Sequence, residues 1–286
     1  MPSDRGAVAW RKRRRGTAVR PLLLAVAAPL FLLPFWWMVA TSLRPLGRPL
    51  SRNLEGFPRP AAWENYPAVF DLLDLWRYAA NSTFVVALAV PITIVVASWA
   101  GFALAQVPQV WRLRLTVLSF LTMMVPVTAV WLTRFLMFKE AGLLDSRFAL
   151  VVPALGGTSP FYVLLFLWTF LRVPAEVYEA ARLDGASAFG IWAGIAMPLA
   201  RPTIVAVGML TFVNYWGNFI DPLLYIQSPE KQTLTYALQS LQQLDSTNWP
   251  LLMAGSAMVT APAVLVFLLA QRAFLQQLRG NGWLGR

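Results

Sequence analysis

The sequence predicts an all-α membrane protein with six transmembrane helices and a two-helix segment between the fourth and the fifth. The first observation is composition: of 286 residues, 58% are hydrophobic and 13% are charged, against about 25% charged in an ordinary soluble domain. The second is that six stretches of more than 18 residues carry no charge, and about 20 apolar residues cross a bilayer as a helix. The third is that seven basic residues precede the first of these stretches.

The six uncharged stretches are residues 21–43, 78–111, 115–133, 148–171, 202–220 and 246–271. An even number of spans places both termini on one side of the membrane. With the termini in the cytoplasm, 15 of the 24 basic residues lie inside, as the positive-inside rule favours. Prolines within several stretches, Pro126 and Pro153 among them, predict bends in the helices.

The N-terminal tail, residues 1–20, carries an uninterrupted basic run from Arg11 to Arg15. A net charge of +11 is also common in proteins that bind nucleic acid. Because the run lies directly before an apolar stretch, it indicates a cytoplasmic membrane anchor, or a tail with only a topological role, and we expect no nucleic-acid partner. The chain has no cysteine and no histidine, which excludes disulfides, thiol chemistry and the usual zinc and iron ligands.

Residues 172–201, between the fourth and fifth stretches, form the longest internal cytoplasmic segment and predict two short helices. Pro174 suits the first turn of a helix. We expect that helix to end at Asp184 and Gly185, because glycine readily adopts the left-handed conformation that ends helices. Ser187 can then cap the next helix.

The first of these two helices presents small and charged groups. Glu179 and Arg182, three residues apart, can form a pair on one face. Val177, Ala180 and Ala181 would offer a shallow apolar surface. The pattern fits a docking surface for another protein, and it equally fits an interfacial helix that lies on lipid headgroups.

Polar residues recur along the fifth span with spacings of three, four and three. At 100° per residue they would share one stripe of a helix, which then faces a neighbouring helix or a wet passage. Amides and a tyrosine can bind the hydroxyls of a polyol, or they can join helices by hydrogen bonds; both interpretations remain open. The stripe holds Thr211, Asn214, Asn218 and Asp221, and Tyr215, a further candidate, lies beside it. Trp216 would point away from them, toward packing or lipid.

The uncharged stretches contain no acid that could carry a proton. No phosphate-binding loop of the form GxxxxGK(S/T) is present. The chain therefore provides neither proton coupling nor its own ATPase, and an ATPase would be a separate chain. Arg134, at the outer end of the third stretch, can extend to the headgroups.

The stretch EAARLDGASAFGIWAGIAMP resembles the cytoplasmic signature of permease subunits of binding-protein-dependent ABC importers. The matching residues are Glu179, Ala180, Ala181, Gly185, Ile195 and Pro198, and Met197 stands where leucine is usual. Residues 63–88 and 251–278 are similar to the carbohydrate-uptake branch, in particular to the second membrane subunit of maltose-type importers. The resemblance makes residues 21–286 an importer transmembrane domain.

The resemblance implies that residues 172–201 are a coupling loop in which Glu179, Ala180, Ala181, Asp184, Gly185, Ile195 and Pro198 meet a cytoplasmic ATPase dimer. It also implies a second membrane subunit, which is a different or an identical chain, an external solute-binding protein, and a sugar or polyol as substrate. ATP and magnesium would bind the ATPase, leaving this chain without a cofactor or a reaction of its own. The location would be the plasma membrane of a bacterium or archaeon. The alternatives are a membrane receptor or assembly scaffold and, less compatible with the residues present, an intramembrane enzyme.

Overall fold

The computed structural model describes residues 25, 27–47, 56–244 and 248–280, and within these ranges the chain is helical, with no strand. The predicted basic tail, residues 1–20, and the start of the first predicted span lie outside the described residues. The all-α prediction is confirmed for the described part of the chain.

The first six helices are α1 (Ala27–Ser42), α2 (Asn65–Leu72), α3 (Leu75–Gln106), α4 (Gln109–Met123), α5 (Trp131–Glu140) and α6 (Arg147–Leu155). The next four are α7 (Pro160–Phe170), α8 (Ala175–Leu183), α9 (Ala188–Ile191) and α10 (Met197–Leu199). The last four are α11 (Arg201–Trp216), α12 (Ile220–Tyr225), α13 (Leu234–Leu244) and α14 (Trp249–Gly280). Short 3₁₀ turns lie at Val127–Val130 and Pro229–Lys231, and a π-helical turn occupies Trp192–Ala196.

Three of the described helical segments are long and apolar enough to cross a bilayer: Leu75–Gln106, Arg147–Phe170 and Trp249–Gln271. Two further segments qualify only as pairs of helices joined by a sharp bend, α4 with residues 127–140 and residues 188–199 with α11. The described residues therefore hold three to five candidate spans. Helix α1 is apolar but shorter, so the count of six stays a prediction.

The third predicted span is bent rather than straight. Its two halves meet at 85°, and the break lies between Met123 and the 3₁₀ turn that follows Pro126. Proline lacks the amide hydrogen that a continuing helix needs, and it disfavours the helical conformation in the residue before it. Pro91 and Pro262, in contrast, lie inside continuous helices.

The described residues fall into two compact units. In the first, residues up to 72 together with 244–257, the end of α1 is tied to the start of α2. The amide of Asn65, which is fully buried, donates to the carbonyls of Ser42 (2.7 Å) and Arg44 (2.8 Å). The Ser42 hydroxyl also lies 2.8 Å from that of Tyr66.

In the second unit, residues 73–243 with 258–286, α3 is the central helix and packs against α6, α7 and α11. Gly101 permits a close approach between α3 and α7. A Cβ atom at Gly101 would lie 2.7 Å from the Cβ of Phe166 and 2.8 Å from the carbonyl oxygen of Val163. Small residues allow membrane helices to pack this closely, so the glycine sets the distance between α3 and α7.

Candidate functional site

The helix-turn-helix predicted for residues 172–201 is present. Helix α8 begins after Pro174 and ends at Leu183, with Asp184 as its C-cap residue, and Gly185 follows with φ +81°. The amide of Gly185 donates to Arg182 and that of Ala186 to Ala181, each at 3.0 Å. This pair of bonds is the Schellman motif. The Ser187 hydroxyl then caps α9 by accepting from the amide of Gly190 at 3.1 Å.

Helix α8 packs one face into the core of the second unit. Tyr178 is buried, and its ring meets that of Phe102 edge to face at 5.8 Å. Phe102 contacts Phe170 in the same way. Ala181 is also buried, so the prediction that it belongs to the outer surface with Ala180 was wrong, because the inward face of the helix runs through Tyr178 and Ala181.

The outward face of the segment carries Glu179 and Ala180, both exposed. It also carries large apolar side chains that the sequence pattern did not single out. Leu183 is 89% exposed and Phe189 is 63% exposed. Exposed apolar groups of this kind are typical of surfaces that contact another protein or the membrane; a leucine directly before the Asp-Gly turn was the available signal.

Arg182 does not pair with Glu179 as predicted. Its guanidinium donates instead to the side-chain oxygen of Gln106, the last residue of α3. The two acceptors differ in position: Gln106 belongs to the helix against which α8 packs, whereas Glu179 lies on the outer face. The bond therefore joins the C-terminal end of α3 to α8.

Ile195 and Pro198 lie where the second helix of the segment changes its winding. Ile195 is half-buried in the π-helical turn, and Pro198 is exposed in α10. Proline cannot donate to the carbonyl four residues earlier and clashes with it, and π turns are one way in which a helix absorbs such a defect. The chain then bends by 83° into α11.

The polar residues of the fifth span do not form one stripe on one helix. Thr211 and Asn214 belong to α11, which ends at Trp216; Asn218 lies in the break, and Asp221 belongs to α12. The stripe prediction assumed an unbroken helix, whereas the chain turns at Gly217. Thr211 is fully buried.

The break does bring several of these residues to one cavity of about 460 Å³. Asn214, Tyr215, Asn218 and Asp221 line it, but Thr211 does not. Helices α5 and α6 and the α6–α7 turn complete the wall, and their side chains were not predicted for a site. Those with polar or aromatic groups are Trp131, Arg134 and Thr158.

Arg134 and Asp221 form an ion pair at the cavity. The Nη1 atom of Arg134 lies 3.2 Å and 3.3 Å from the two carboxylate oxygens. The amide of Asn218 donates to the same carboxylate at 2.9 Å, and the backbone amide of Asp221 donates back to the Asn218 side chain at 3.2 Å. Arg134 thus pairs with Asp221, whereas the sequence analysis expected its side chain to extend to the headgroups.

Tyr215 is buried, and its hydroxyl is held by a hydrogen bond with the α6–α7 turn. Its hydroxyl lies 3.1 Å from that of Thr158, which is 2.5 Å from the hydroxyl of Thr93 on α3. Thr158 has φ +60°, a strained conformation for a β-branched residue. Such strain occurs where the surrounding contacts enforce it, often beside a functional site.

Trp216 packs within the protein, which is one of the two predicted roles, packing or contact with lipid. Its indole N–H donates to the carbonyl of Val259 at 2.9 Å, and its ring stacks on Phe212 at 5.4 Å. Only 8% of the Trp216 residue is exposed, so other residues of the same chain already cover it and leave little surface for lipid.

A second ion pair lies in the turn before α6, where Asp145 has φ +57°. Lys231 Nζ is 2.7 Å from its carboxylate, and the backbone amides of Gln227 and Ser228 donate to the same group at 3.0 Å and 2.8 Å. The bond from Lys231 and those from Ser228 hold the pKa of Asp145 well below its usual range. The cluster fixes the turn before α6 to the loop after α12.

Comparison with known proteins identifies related chains over most of the length. Residues 89–280 match the model of the family described as "binding-protein-dependent transport system inner membrane component". The lactose transport system permease protein of Rhizobium radiobacter is 29% identical over 94% of this chain and 97% of its own length. An arabinooligosaccharides transport system permease protein of Halalkalibacterium halodurans is 30% identical over 87% of this chain and 90% of its own.

A solved structure shares the fold. It is a bacterial ABC transporter involved in the import of the acidic polysaccharide alginate, and one of its chains is 22% identical. The match covers 92% of this chain and 98% of that chain, with a TM-score of 0.72. This chain therefore shares its fold with that chain of the transporter.

Proposed function

We propose a function from one premise: this chain belongs to the binding-protein-dependent transport system inner membrane component family. It is a membrane-spanning permease subunit of an ABC importer, and such a subunit moves a solute rather than changing its bonds. The substrate we propose is a sugar or related polyol, supported by the lactose and arabinooligosaccharide systems of its relatives. The chain would form half of the pathway.

We further propose six spans with both termini in the cytoplasm. Helix α1 would complete the first span together with residues that precede it, and the two bent pairs would each count as one span. The excess of basic residues on the side of the termini supports this orientation. Residues 172–201 then lie in the cytoplasm, where an ATPase can reach them.

Residues 172–201 would be the coupling loop. Their outer face, with Glu179, Ala180 and the exposed Leu183, would dock on the ATPase. Tyr178 and Ala181 anchor the inner face in the core around α3 and α7. A surface bound to the ATPase and packed on the spans can pass a movement from one to the other.

The cavity beside the break in the fifth span would be the part of the substrate pathway that this chain contributes. Asn214, Asn218 and Tyr215 can donate and accept hydrogen bonds with sugar hydroxyls, and Trp131 provides an aromatic surface for a ring. Broken helices that line a cavity are a common way of building a transporter site. Asp221 enters this proposal through its pair with Arg134.

The partners that complete the transporter are proposals from family membership. They are a cytoplasmic ATPase dimer that binds ATP and magnesium, a second permease subunit and an external solute-binding protein. We favour a second subunit that differs from this chain, and an identical copy is the other option. A receptor or scaffold without a transport cycle is the alternative function, and a complex of that kind would lack substrate-stimulated ATP hydrolysis.

The observation that carries the proposal is the hydrogen-bonded turn of residues 184–187, with the 89% exposed Leu183 directly before it. Because the chain has no cysteine, Leu183→Cys introduces a single thiol. Labelled with a photoactivatable maleimide in native membranes and identified by mass spectrometry, it should form an adduct with an ATPase. Leu132→Cys on α5, 70% exposed in the wild type, is the matched control and should form none. An ATPase adduct absent from Leu183→Cys, or equal in both variants, would overturn the docking assignment.

A further inference from the structure

The cavity at the break of the fifth span contains one ion pair. Among the described residues that line it, Arg134 and Asp221 alone carry charge. Their side chains are 22% and 15% exposed, so both charges face the cavity from positions largely removed from solvent. A ligand in the cavity would meet the two opposite charges together.

Both charges are held in place. Asn218 donates to the Asp221 carboxylate at 2.9 Å, which leaves that side chain little freedom to turn away. The guanidinium of Arg134 lies 5.9 Å from the ring centre of Tyr225, a buried residue of α12. Because the pair joins α5 to α12, 87 residues apart, it depends on the fold and not on a local motif.

An ion pair of this kind discriminates between ligands by charge. A carboxylate or sulfonate on a sugar would have to compete with Asp221 for the guanidinium, and it would also approach the Asp221 carboxylate, where like charges repel strongly at reduced dielectric. A neutral sugar meets neither cost, because its hydroxyls can bind Asn214 and Tyr215 without disturbing the pair. The fold alone does not determine a preference for neutral sugars, since a transporter chain with the same fold is involved in the import of the acidic polysaccharide alginate.

We propose that the Arg134–Asp221 ion pair makes this cavity selective for neutral over acidic saccharides, with Asp221 as the residue that cancels the charge of Arg134. The proposal rests on the assignment of the cavity to the substrate pathway. It adds two specificity-determining residues to that pathway. Removing Asp221 alone would leave one uncompensated guanidinium, a strong binding group for carboxylates.

The test measures binding of two trisaccharides to the complex purified through this chain, in lipid nanodiscs and without the external binding protein. Maltotriose is the neutral probe and trigalacturonate the acidic one, and saturation-transfer NMR gives both dissociation constants. Wild type should prefer maltotriose. Asp221→Asn should shift the ratio of the two constants toward trigalacturonate on the order of tenfold, the typical effect of one charged hydrogen bond.

Three further variants separate charge from damage. Arg134→Gln should shift the ratio in the opposite direction, and Arg134→Gln with Asp221→Asn should lie between the two single variants, with a weaker preference for maltotriose than wild type. Asp74→Asn removes an acid from an exposed pair with Arg77 and should change nothing. If either single variant is poorly folded, the neutral double variant still tests the proposal, because a double variant that keeps the full wild-type preference would show that the pair does not set it.

Each result has a definite meaning. If the single variants weaken both sugars equally and leave the ratio unchanged, the pair is only structural and the selectivity proposal is wrong. If wild type binds trigalacturonate as well as maltotriose, it is wrong as well. If neither sugar binds wild type while the complex still hydrolyses ATP, the cavity is not the substrate site, and both this proposal and that assignment fail together.

Discussion

Substitutions of Gly185 can measure how much the turn depends on a left-handed backbone conformation, because a small added side chain would not disturb the packing. The φ of Gly185 is +81°, and a Cβ atom added there would meet nothing within 4 Å. The cost of Gly185→Ala is therefore conformational, about 1–2 kcal/mol for a residue with a side chain in the left-handed region. That corresponds to a factor of about 5–30 in the equilibrium between the formed and the opened turn. Gly185→Asn should cost less, because asparagine tolerates this region, and Gly185→Val should cost more.

The assay is ATP hydrolysis by the complex purified through each variant, together with the amount of chain in the membrane. We expect activity to fall in the order Gly, Asn, Ala, Val, with Gly185→Val close to inactive and all chains present in the membrane. Gly194→Ala is the matched control, since its added Cβ also meets no atom and its φ lies outside the left-handed region. Equal losses for Asn and Ala would point to space rather than backbone conformation. Full activity of Gly185→Val would refute the coupling assignment.

Two further predictions concern packing and pH. Gly101→Ala should lower the free energy of unfolding by about 1–3 kcal/mol through overpacking of α3 on α7, as measured by thermal unfolding in detergent. Gly208→Ala is the control and should not lower it, because its added Cβ would make only ordinary contacts. Equal effects of the two substitutions would contradict the packing argument. The bond with Lys231 lowers the pKa of Asp145 in the folded chain from its ordinary value of 3.8. The Asp145 carboxylate therefore stabilises the fold fully when the pH is above 3.8, and this stabilisation is lost as the pH falls below 3.8. The melting temperatures of wild type and Asp145→Asn should therefore differ by a constant amount above about pH 5 and converge on acidification, and a constant difference down to pH 2 would refute the assignment.

Local signals were sufficient for the helix-turn-helix of residues 172–201. Pro174, Gly185 and Ser187 each act within one turn of the chain. Pro174 lacks an amide hydrogen, Gly185 adopts the left-handed conformation, and Ser187 provides a capping hydroxyl. Their positions could therefore be predicted without knowledge of the fold. The uncharged stretches likewise indicated where the apolar helices lie, because a long run without charge can be recognised in the sequence without knowledge of tertiary contacts.

The cavity could be predicted only in part, since it depends on where helices break and what they meet. The polar spacing found Asn214, Tyr215, Asn218 and Asp221, but it treated them as one stripe and included Thr211, which lies elsewhere. Arg134 was assigned to headgroups because its partner is 87 residues away. Such a pair leaves no periodic trace in the sequence.

The two candidate sites are connected by helices that contact both of them. On α3, Phe102 meets Tyr178 of the proposed coupling loop, and Thr93, nine positions earlier and about 14 Å along the axis, meets Thr158 at the cavity. Helix α11 begins at the end of the proposed coupling loop and carries Tyr215 to the cavity wall. A displacement of α8 therefore acts on helices that reach the cavity directly. Coupling requires only that these helices move as rigid bodies between two arrangements, and the close packing of α3 on α7 at its glycine favours such movement over local bending.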